Sequence, residues 1–369
     1  MSGLLLTDEG ILRLPNVREA VLAEQLSSGR VRCGLCARRC VTQPGQRGFC
    51  KTRMNIDGKL RTLVYGDLSS ISANPIEKKP FFHFWPGSYA LTVGTWGCNF
   101  TCPWCQNWET SKYPPEPTKA SYVNPEQLVR MTALEHCQGV SISFNEPTML
   151  FEYSLDVFPA AKRGGFYNTF VSNGYMASEA LKLLRDAGMD AIKFDLKGDA
   201  EAVRRYCAAD VDVVWRNIHA AKTLGMHVEV VTLVIPNVND DEEALVGISE
   251  RCLKEVGPDV PLHFTRFYPA YKMTNKSPTP ISTLERAREL ARKHGVHYVY
   301  IGNIPGHRWE NTYCHGCGEL LIQRYGFGIV KYEITEGKRC PECGVEIPIS
   351  GRYVRSIGTR DQLRREWHA

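Results

Sequence analysis

From Tyr89 onward, short apolar runs typical of β-strands alternate with amphipathic patterns typical of α-helices. The predicted strands span residues 90–93, 139–144, 167–172, 191–196, 228–235, 262–267 and 298–301. The helical patterns between them include residues 125–135, 177–187, 212–224, 242–255 and 283–293. Because strands separated by helices pair in parallel, this order predicts an α/β fold, a partial or complete (β/α) barrel. The active site of such a barrel lies where its strands end, so the residues closing each strand are the functional candidates.

The composition is that of a globular protein with no strong charge signal. The chain has 369 residues, of which 43% are hydrophobic, enough for a substantial core. Its 45 basic and 40 acidic residues leave a formal charge of +5, which gives no support to nucleic-acid binding. Most of the 14 cysteines fall in close groups, which favours metals in a reducing compartment over disulfides. With no membrane-length apolar run and no signal-peptide pattern, we expect a cytoplasmic location.

Three cysteines, Cys98, Cys102 and Cys105, lie in the loop after the first predicted strand with the spacing C-x3-C-x2-C. A structural zinc site or an ordinary 4Fe-4S cluster needs four thiolates, and the next cysteine is Cys137. Three thiolates leave one iron of a cluster open to a small molecule with an amino and a carboxylate group, as in S-adenosylmethionine (SAM). The alternative is an incomplete zinc site or a set of buried structural thiols.

This loop resembles the signature of the radical SAM superfamily, C-x3-C-x-aromatic-C, with Trp104 in the aromatic position. The resemblance implies that Cys98, Cys102 and Cys105 form the catalytic 4Fe-4S centre and that Trp104 packs against the adenine of SAM. It also implies reductive cleavage of SAM to a 5'-deoxyadenosyl radical, which abstracts hydrogen from a substrate. An electron donor such as a ferredoxin or flavodoxin is the expected partner.

The second strand ends in Asn145-Glu146-Pro147, which resembles the Gly-Gly-Glu-Pro motif of the same superfamily. That motif holds the methionine amino group, so the resemblance implies a cofactor-binding role for all three residues. Phe144 and Asn145 stand where the motif has its two glycines, which departs from the pattern. A simple helix start is the alternative.

Three further strand ends resemble those of pyruvate formate-lyase activating enzymes. Ser172-Asn173 resembles their ribose motif, with an ordinary Asn-Gly turn as the alternative. Asp195 and Lys197 match an Asp-Leu-Lys that contacts the ribose and the methionine carboxylate. Alternation along the strand puts Asp195 and Lys197 on one face, although a purely structural ion pair is the alternative. Ile235 closes the fifth strand and is predicted to flank the adenine.

An aromatic and charged connector, residues 74–87, precedes the first strand. We interpret it as a lid that packs its rings against the barrel mouth while Glu77, Lys78 and Lys79 remain solvated. In the alternative interpretation Lys78, Lys79 or His83 faces the substrate.

Two later strand ends supply the other substrate candidates. Arg266 and Tyr268 follow the sixth strand, and Pro269 stands where the activating enzymes have a histidine, so that cofactor contact is not expected. Asn303 and His307 follow the seventh strand. A solvated arginine, a core tyrosine and a solvated loop histidine are the alternatives.

Two more cysteine groups flank the predicted barrel. The N-terminal group has the spacing C-x2-C-x3-C-x9-C and comprises Cys33, Cys36, Cys40 and Cys50. Zinc is favoured there because a small module lacks its own core and zinc would supply folding energy, with an auxiliary Fe-S cluster as the alternative. Residues 17–26, which lead into this group, are predicted as a short helix.

The C-terminal group consists of two Cys-x2-Cys-Gly knuckles, Cys314, Cys317, Cys340 and Cys343. This pattern predicts a zinc ribbon, with a rubredoxin-like iron site as the alternative. A basic helix is predicted for residues 360–367. Cys137, Cys207 and Cys252 stand alone and are predicted to be buried structural thiols.

The whole layout resembles the AmmeMemoRadiSam-system radical SAM enzymes, which implies Memo-type and AMMECR-type proteins as partners. We expect an N-terminal metal module at residues 1–66, a connector at 67–87, the barrel at 88–308 and the ribbon with its tail at 309–369. The expected function is anaerobic hydrogen abstraction from an unidentified substrate. Activation of a glycyl-radical enzyme is one alternative, and an RNA-modification factor that docks tRNA through its ribbon is another.

Overall fold

The computed structural model describes residues 8–355, and its first part is a small β module. Helix α1 (Asp8–Leu12) precedes six strands: β1 (Arg18–Glu19), β2 (Ala23–Gln25), β3 (Val31–Cys33), β4 (Val41–Thr42), β5 (Arg53–Ile56) and β6 (Lys59–Thr62). They form two antiparallel sheets, β1-β6-β5 and β2-β3-β4. The helix predicted for residues 17–26 is wrong, because their backbone pairs with β6 and with the cysteine-bearing β3.

The central element is an eight-stranded sheet with its strands in chain order. They are β7 (Ser70–Pro75), β8 (Tyr89–Gly94), β9 (Gly139–Ile142), β10 (Tyr167–Ser172), β11 (Ala191–Leu196), β12 (His227–Val234), β13 (Leu262–Arg266) and β14 (Val299–Gly302). Strands β8 to β14 pair in parallel, and β7 runs antiparallel to β8 at one edge. This confirms the predicted fold class in its partial-barrel form, since β7 and β14 are the two edges among the described residues.

Helices cover the convex face of this sheet and bury its outward apolar side chains. They are α3 (Pro125–Leu134), α4 (Phe151–Arg163), α5 (Ser178–Asp186), α6 (Ala200–Cys207), α7 (Val211–Thr223), α8 (Glu242–Val256) and α9 (Ile281–Lys293), whereas α2 (Trp108–Ser111) is a single turn directly after the three-cysteine loop. The sequence patterns missed α4 and α6. None of the helices within residues 8–355 is long and apolar enough to cross a membrane.

The aromatic connector closes the N-terminal end of the barrel. The Phe84 ring lies 5.1 Å from Tyr167 and 5.4 Å from His227, which begin β10 and β12. Phe82 packs at 4.9 Å from His263 of β13 and 4.8 Å from Tyr300 of β14. The prediction of a lid at the barrel mouth is therefore wrong. The connector packs against the first residues of the parallel strands, whereas the barrel mouth lies at the opposite end of the sheet, where these strands end.

The last module packs at this same end. Its strands are β15 (Thr312–Tyr313), β16 (Leu320–Tyr325) and β17 (Gly328–Tyr332). The buried Arg324 donates from Nη2 to the carbonyl of Phe82 at 2.8 Å and so ties the module to the connector. The ribbon thus lies away from the three-cysteine loop. The basic helix predicted at 360–367 lies outside the described residues.

Candidate functional site

The three-cysteine loop leaves the C-terminal end of β8 and is held there by Asn145, which follows β9. The Asn145 side chain accepts from the backbone N–H of Thr95 at 3.0 Å and donates to the carbonyl of Gly97 at 2.8 Å. It therefore fixes the start of the loop from the next strand. A second amide, Asn107, donates to the carbonyl of Phe144 and fixes the other end of the loop.

The loop thiols are spaced too widely for a single metal ion. Among the described residues, three or more ligand atoms within 4.8 Å of one another occur at one group, the four C-terminal cysteines. There Cys314 and Cys343 have their Sγ atoms 3.5 Å apart, close to the separation of about 3.8 Å expected around zinc. The wider spacing of the loop thiols fits a cluster with its own bridging sulfides.

Cys207 lies beside the loop, although its sequence position gave no sign of it. It is buried, as predicted, and its Sγ is 3.4 Å from Sγ of Cys102. The last turn of α6 brings it there. Trp104 packs at 5.6 Å from the Tyr206 ring, and its buried Nε1 has no hydrogen-bond partner among the described residues.

Glu146 follows β9, and its buried carboxylate collects hydrogen bonds from two strand ends. Its Oε1 accepts from Ser172 Oγ at 2.8 Å, and its Oε2 accepts from the backbone N–H of Asn173 at 2.9 Å. Thr148 donates to Oε1 through its backbone N–H at 3.2 Å and through its hydroxyl. Burial raises the pKa of Glu146, and these neutral donors oppose the rise. A cation would stabilise this buried carboxylate further.

Asn173 connects this carboxylate to the cysteine loop. Its Nδ2 donates to Oδ1 of Asn99 at 2.8 Å and lies 3.9 Å from Sγ of Cys98. Two strand ends predicted separately, Glu146 and Ser172-Asn173, therefore meet directly beside one of the three thiols. Pro147, the third residue of the predicted motif, is buried in the turn that follows Glu146. Ile235 is fully buried, at the end of β12.

Asp195 lies on the concave face of β11 between two lysines. Lys193 donates to its Oδ1, and Lys197 Nζ lies 3.2 Å from its Oδ2. The intervening apolar residues point to the helices, so all three charged side chains face the barrel interior. Burial acts to raise the pKa of Asp195, but the two lysines outweigh it and lower the pKa to about 2. Sequence reasoning missed Lys193, although the same alternation would have placed it beside Asp195.

Lys79 enters this interior from the connector. Its Nζ lies 5.1 Å from the ring centroid of Phe144, and the residue is only 5% exposed. The ammonium group has no ion pair or hydrogen bond to any residue within the described range. Burial, together with the charges of Lys78 and Lys193, lowers the pKa of Lys79 to about 7. Lys78 is exposed as expected, but the predicted solvation of Lys79 and of the buried Glu77 is wrong.

His83 lies at the opposite end, in a network that sequence reasoning did not foresee. The buried Glu229 of β12 accepts hydrogen bonds from His227 at 2.9 Å and His263 at 2.7 Å. It also accepts from the backbone N–H groups of Phe82 at 3.0 Å and His83 at 2.8 Å. The network anchors the connector to the strands, far from the cysteine loop.

The remaining substrate candidates lie at the ends of β13 and β14. Arg266 Nη1 donates to the Tyr268 hydroxyl at 3.3 Å, and Asn303 Nδ2 donates to the Arg266 carbonyl at 3.0 Å. These three side chains form one connected, largely exposed cluster. His307 is separate, with Nε2 3.4 Å from Glu285 of α9.

Comparison with known proteins agrees with this geometry. The family model of the radical SAM superfamily matches residues 92–247, which hold the cysteine loop and the strand ends around Glu146, Ser172 and Asp195. An uncharacterized protein of Methanocaldococcus jannaschii is 43% identical over 90% of this chain and 99% of its own length. The chain belongs to the radical SAM superfamily.

Two more distant relatives accompany this match. A putative glycyl-radical enzyme activating enzyme of the same organism is 24% identical to this radical SAM protein, over 65% of this chain and 85% of its own. The crystal structure of Streptococcus suis SuiB bound to S-adenosylmethionine is 12% identical, with a TM-score of 0.47, over 65% of this chain and 56% of that one. Members of the superfamily are enzymes, and they use a 4Fe-4S cluster and SAM.

Proposed function

We propose that this chain is a radical SAM enzyme that abstracts hydrogen from an anionic small molecule bound inside its barrel. Cys98, Cys102 and Cys105 would hold the 4Fe-4S cluster, which together with SAM supplies a 5'-deoxyadenosyl radical. The observation that carries the proposal is the junction of Glu146 and Asn173 beside Cys98. A buried carboxylate next to an incomplete set of thiolates is the arrangement that an amino-acid cofactor at an open iron requires.

Glu146 would receive the amino group of SAM. Each of its oxygens already accepts from neutral donors, so the carboxylate is held in one orientation before the cofactor binds. Because burial raises its pKa, a neighbouring ammonium group gains more from pairing with it than with an exposed carboxylate. Ser172 fixes this orientation while Asn173 faces the thiol.

Lys197 and Asp195 would contact the carboxylate and the ribose of SAM. Two lysines against one aspartate leave an excess positive charge at the end of β11, which attracts a carboxylate. Lys193 donates to the other oxygen of Asp195 and so holds the Asp195 carboxylate in place beside Lys197. Trp104, whose indole N–H lacks a partner within residues 8–355, is the residue we assign to the adenine, together with Ile235.

Lys79 supports an anionic substrate. An unpaired ammonium group is costly to bury, and the described residues offer it no carboxylate. A carboxylate or phosphate of the substrate would supply the missing partner and would raise the lowered pKa of Lys79 on binding. The half-buried Arg266 and the exposed Tyr268, at the strand ends, are the polar groups that such an anion would meet at the rim.

The test measures 5'-deoxyadenosine from SAM in anaerobically reconstituted, dithionite-reduced protein. We expect product from the wild type, and a loss of at least about tenfold in Glu146→Gln and Asp195→Asn, the effect of removing one charged contact. Glu135→Gln and Asp190→Asn are the matched controls, because both acids lie away from the cysteine loop. Wild-type protein with a full cluster and no 5'-deoxyadenosine would contradict the proposal.

Activation of a glycyl-radical enzyme is the second candidate, favoured by the putative activating enzyme among the relatives. It requires a glycine of a partner protein at the barrel mouth in place of a small anion. Deuterium transferred from a labelled partner glycine into 5'-deoxyadenosine, together with a glycyl-radical EPR signal, would favour it. In that case Lys79→Met would leave turnover unchanged, whereas the small-anion proposal expects it to weaken substrate binding.

A further inference from the structure

The four N-terminal thiols surround a cavity of their own. Cys33, Cys36, Cys40 and Cys50 line it, two of them buried and two half-buried. No three of these Sγ atoms lie within 4.8 Å of one another, whereas the four C-terminal Sγ atoms all do. Thiolates around one zinc ion, with bonds of about 2.3 Å, lie about 3.8 Å apart and leave no room for a water-sized sphere. The N-terminal thiols instead enclose a cavity of about 20 Å³ and lie farther apart than thiolates around one zinc ion.

Two of the side chains that line this cavity carry buried N–H groups without a hydrogen-bond partner among residues 8–355. Arg53 is 1% exposed, and it pairs through Nη2 with Glu152 at 2.5 Å. Its Nε and Nη1 are buried without a partner among the described residues, as is Nδ2 of Asn99, and both residues line the cavity. Leaving buried donors unpaired is unfavourable, so these atoms indicate an occupant rich in acceptors and negative in charge.

We propose that Cys33, Cys36, Cys40 and Cys50 hold an auxiliary 4Fe-4S cluster, in place of the zinc that the sequence favours. A cubane with its own bridging sulfides spans the wider thiol separation and offers sulfur acceptors to Arg53 and Asn99. The cationic guanidinium also balances part of the negative charge of a cluster held by four thiolates.

This cluster would lie directly beside the three-cysteine loop. Asn99 belongs to that loop and lines the N-terminal cavity, and Arg38 donates to its carbonyl at 2.8 Å. At Gly97, with φ at +76°, a Cβ atom would lie 2.4 Å from the carbonyl of Cys50, so the two segments are in backbone contact. Because thiolates occupy all four irons, none is open to substrate, and the centre is a one-electron redox centre. The inference does not depend on the proposed function.

The test uses the full chain, reconstituted anaerobically with iron, sulfide and zinc. The first variant replaces the loop thiols (Cys98→Ala, Cys102→Ala, Cys105→Ala), and the second adds Cys33→Ala and Cys50→Ala to these. The control adds Cys252→Ala to the first variant, since Cys252 is a buried thiol outside every group. Iron, sulfide and zinc are counted per chain, and circular dichroism verifies folding.

We expect about eight irons per chain in the wild type, about four in the loop variant and its control, and fewer than one in the second variant. Zinc should stay near one per chain throughout, and the reduced loop variant should give the EPR signal of a one-electron-reduced cluster. A loop variant with no iron and two zinc ions per chain would overturn the inference. A wild type with the same iron content as its loop variant would instead overturn the proposed function, so the two failures are distinguishable.

Discussion

Replacing Lys79 with methionine should stabilise the protein, and the gain should depend on pH in a defined direction. Lys79 is 5% exposed, and methionine keeps the unbranched side chain up to Cε but removes the ammonium group, which is unpaired within residues 8–355. Burial lowers the pKa of Lys79 from 10.5 to about 7, and each unit of pKa corresponds to about 1.4 kcal/mol. The upper bound on the gain is therefore about 5 kcal/mol, and relaxation around the charge should reduce it to on the order of 2–3 kcal/mol.

The sign follows from proton binding. The unfolded chain keeps Lys79 protonated up to its usual pKa of 10.5, whereas the folded protein releases the proton near pH 7. The destabilisation by Lys79 is therefore complete below pH 7 and disappears as the pH rises toward 10.5. At pH 9 less than about half of it should remain.

Anaerobic thermal unfolding at pH 6.5 and pH 9 measures this difference. Lys78→Met is the matched control, because it removes the neighbouring charge from an exposed position. We expect Lys79→Met to raise the unfolding temperature by about 3–4 °C at pH 6.5 and by clearly less at pH 9. Equal shifts for the two variants, or a gain that does not shrink with rising pH, would refute the assignment of Lys79 as an unpaired buried cation.

Three further substitutions test contacts elsewhere in the molecule. Glu229→Ala should destabilise the protein by at least about 3 kcal/mol in thermal unfolding, because it leaves two imidazoles and two backbone N–H groups without their acceptor. As a control, replacing the exposed Glu250 with alanine should change stability by less than about 0.5 kcal/mol. Cys317→Ala should release zinc and lower the unfolding temperature. The iron content should stay unchanged, since the ribbon packs at the end of the barrel opposite the cysteine loop. A loss of iron together with zinc would contradict that placement. The double change Arg53→Gln with Glu152→Gln should make the midpoint potential of the N-terminal cluster more negative in the loop-thiol variant. The change removes both charges of the ion pair, but Arg53 lines the cavity and Glu152 does not, so the lost cation is the one nearer the cluster. Spectroelectrochemical titration with an unchanged or more positive potential would refute this.

Prediction from the sequence worked best where one strand is enough to define a feature. Regular alternation predicted the parallel sheet, and it put Asp195 and Lys197 on one face, where the structure brings them together. It failed for residues 17–26, because partners far along the chain, in β3 and β6, decide their conformation. Helices α4 and α6 were also missed.

The spacing of Cys98, Cys102 and Cys105 was enough to establish the class of chemistry from the amino-acid sequence, and the residue types identified the strand ends that accompany them. Such features are local, so residue type and period are sufficient to reveal them. The folded structure was needed to show that Glu146 meets Asn173 beside Cys98 and that the connector closes the far end of the barrel. It alone also showed the unpaired Lys79 and the wide separation of the N-terminal thiols. These features depend on distances between residues that are remote in the chain. Side-chain packing across the barrel determines those distances, and no local sequence pattern contains them.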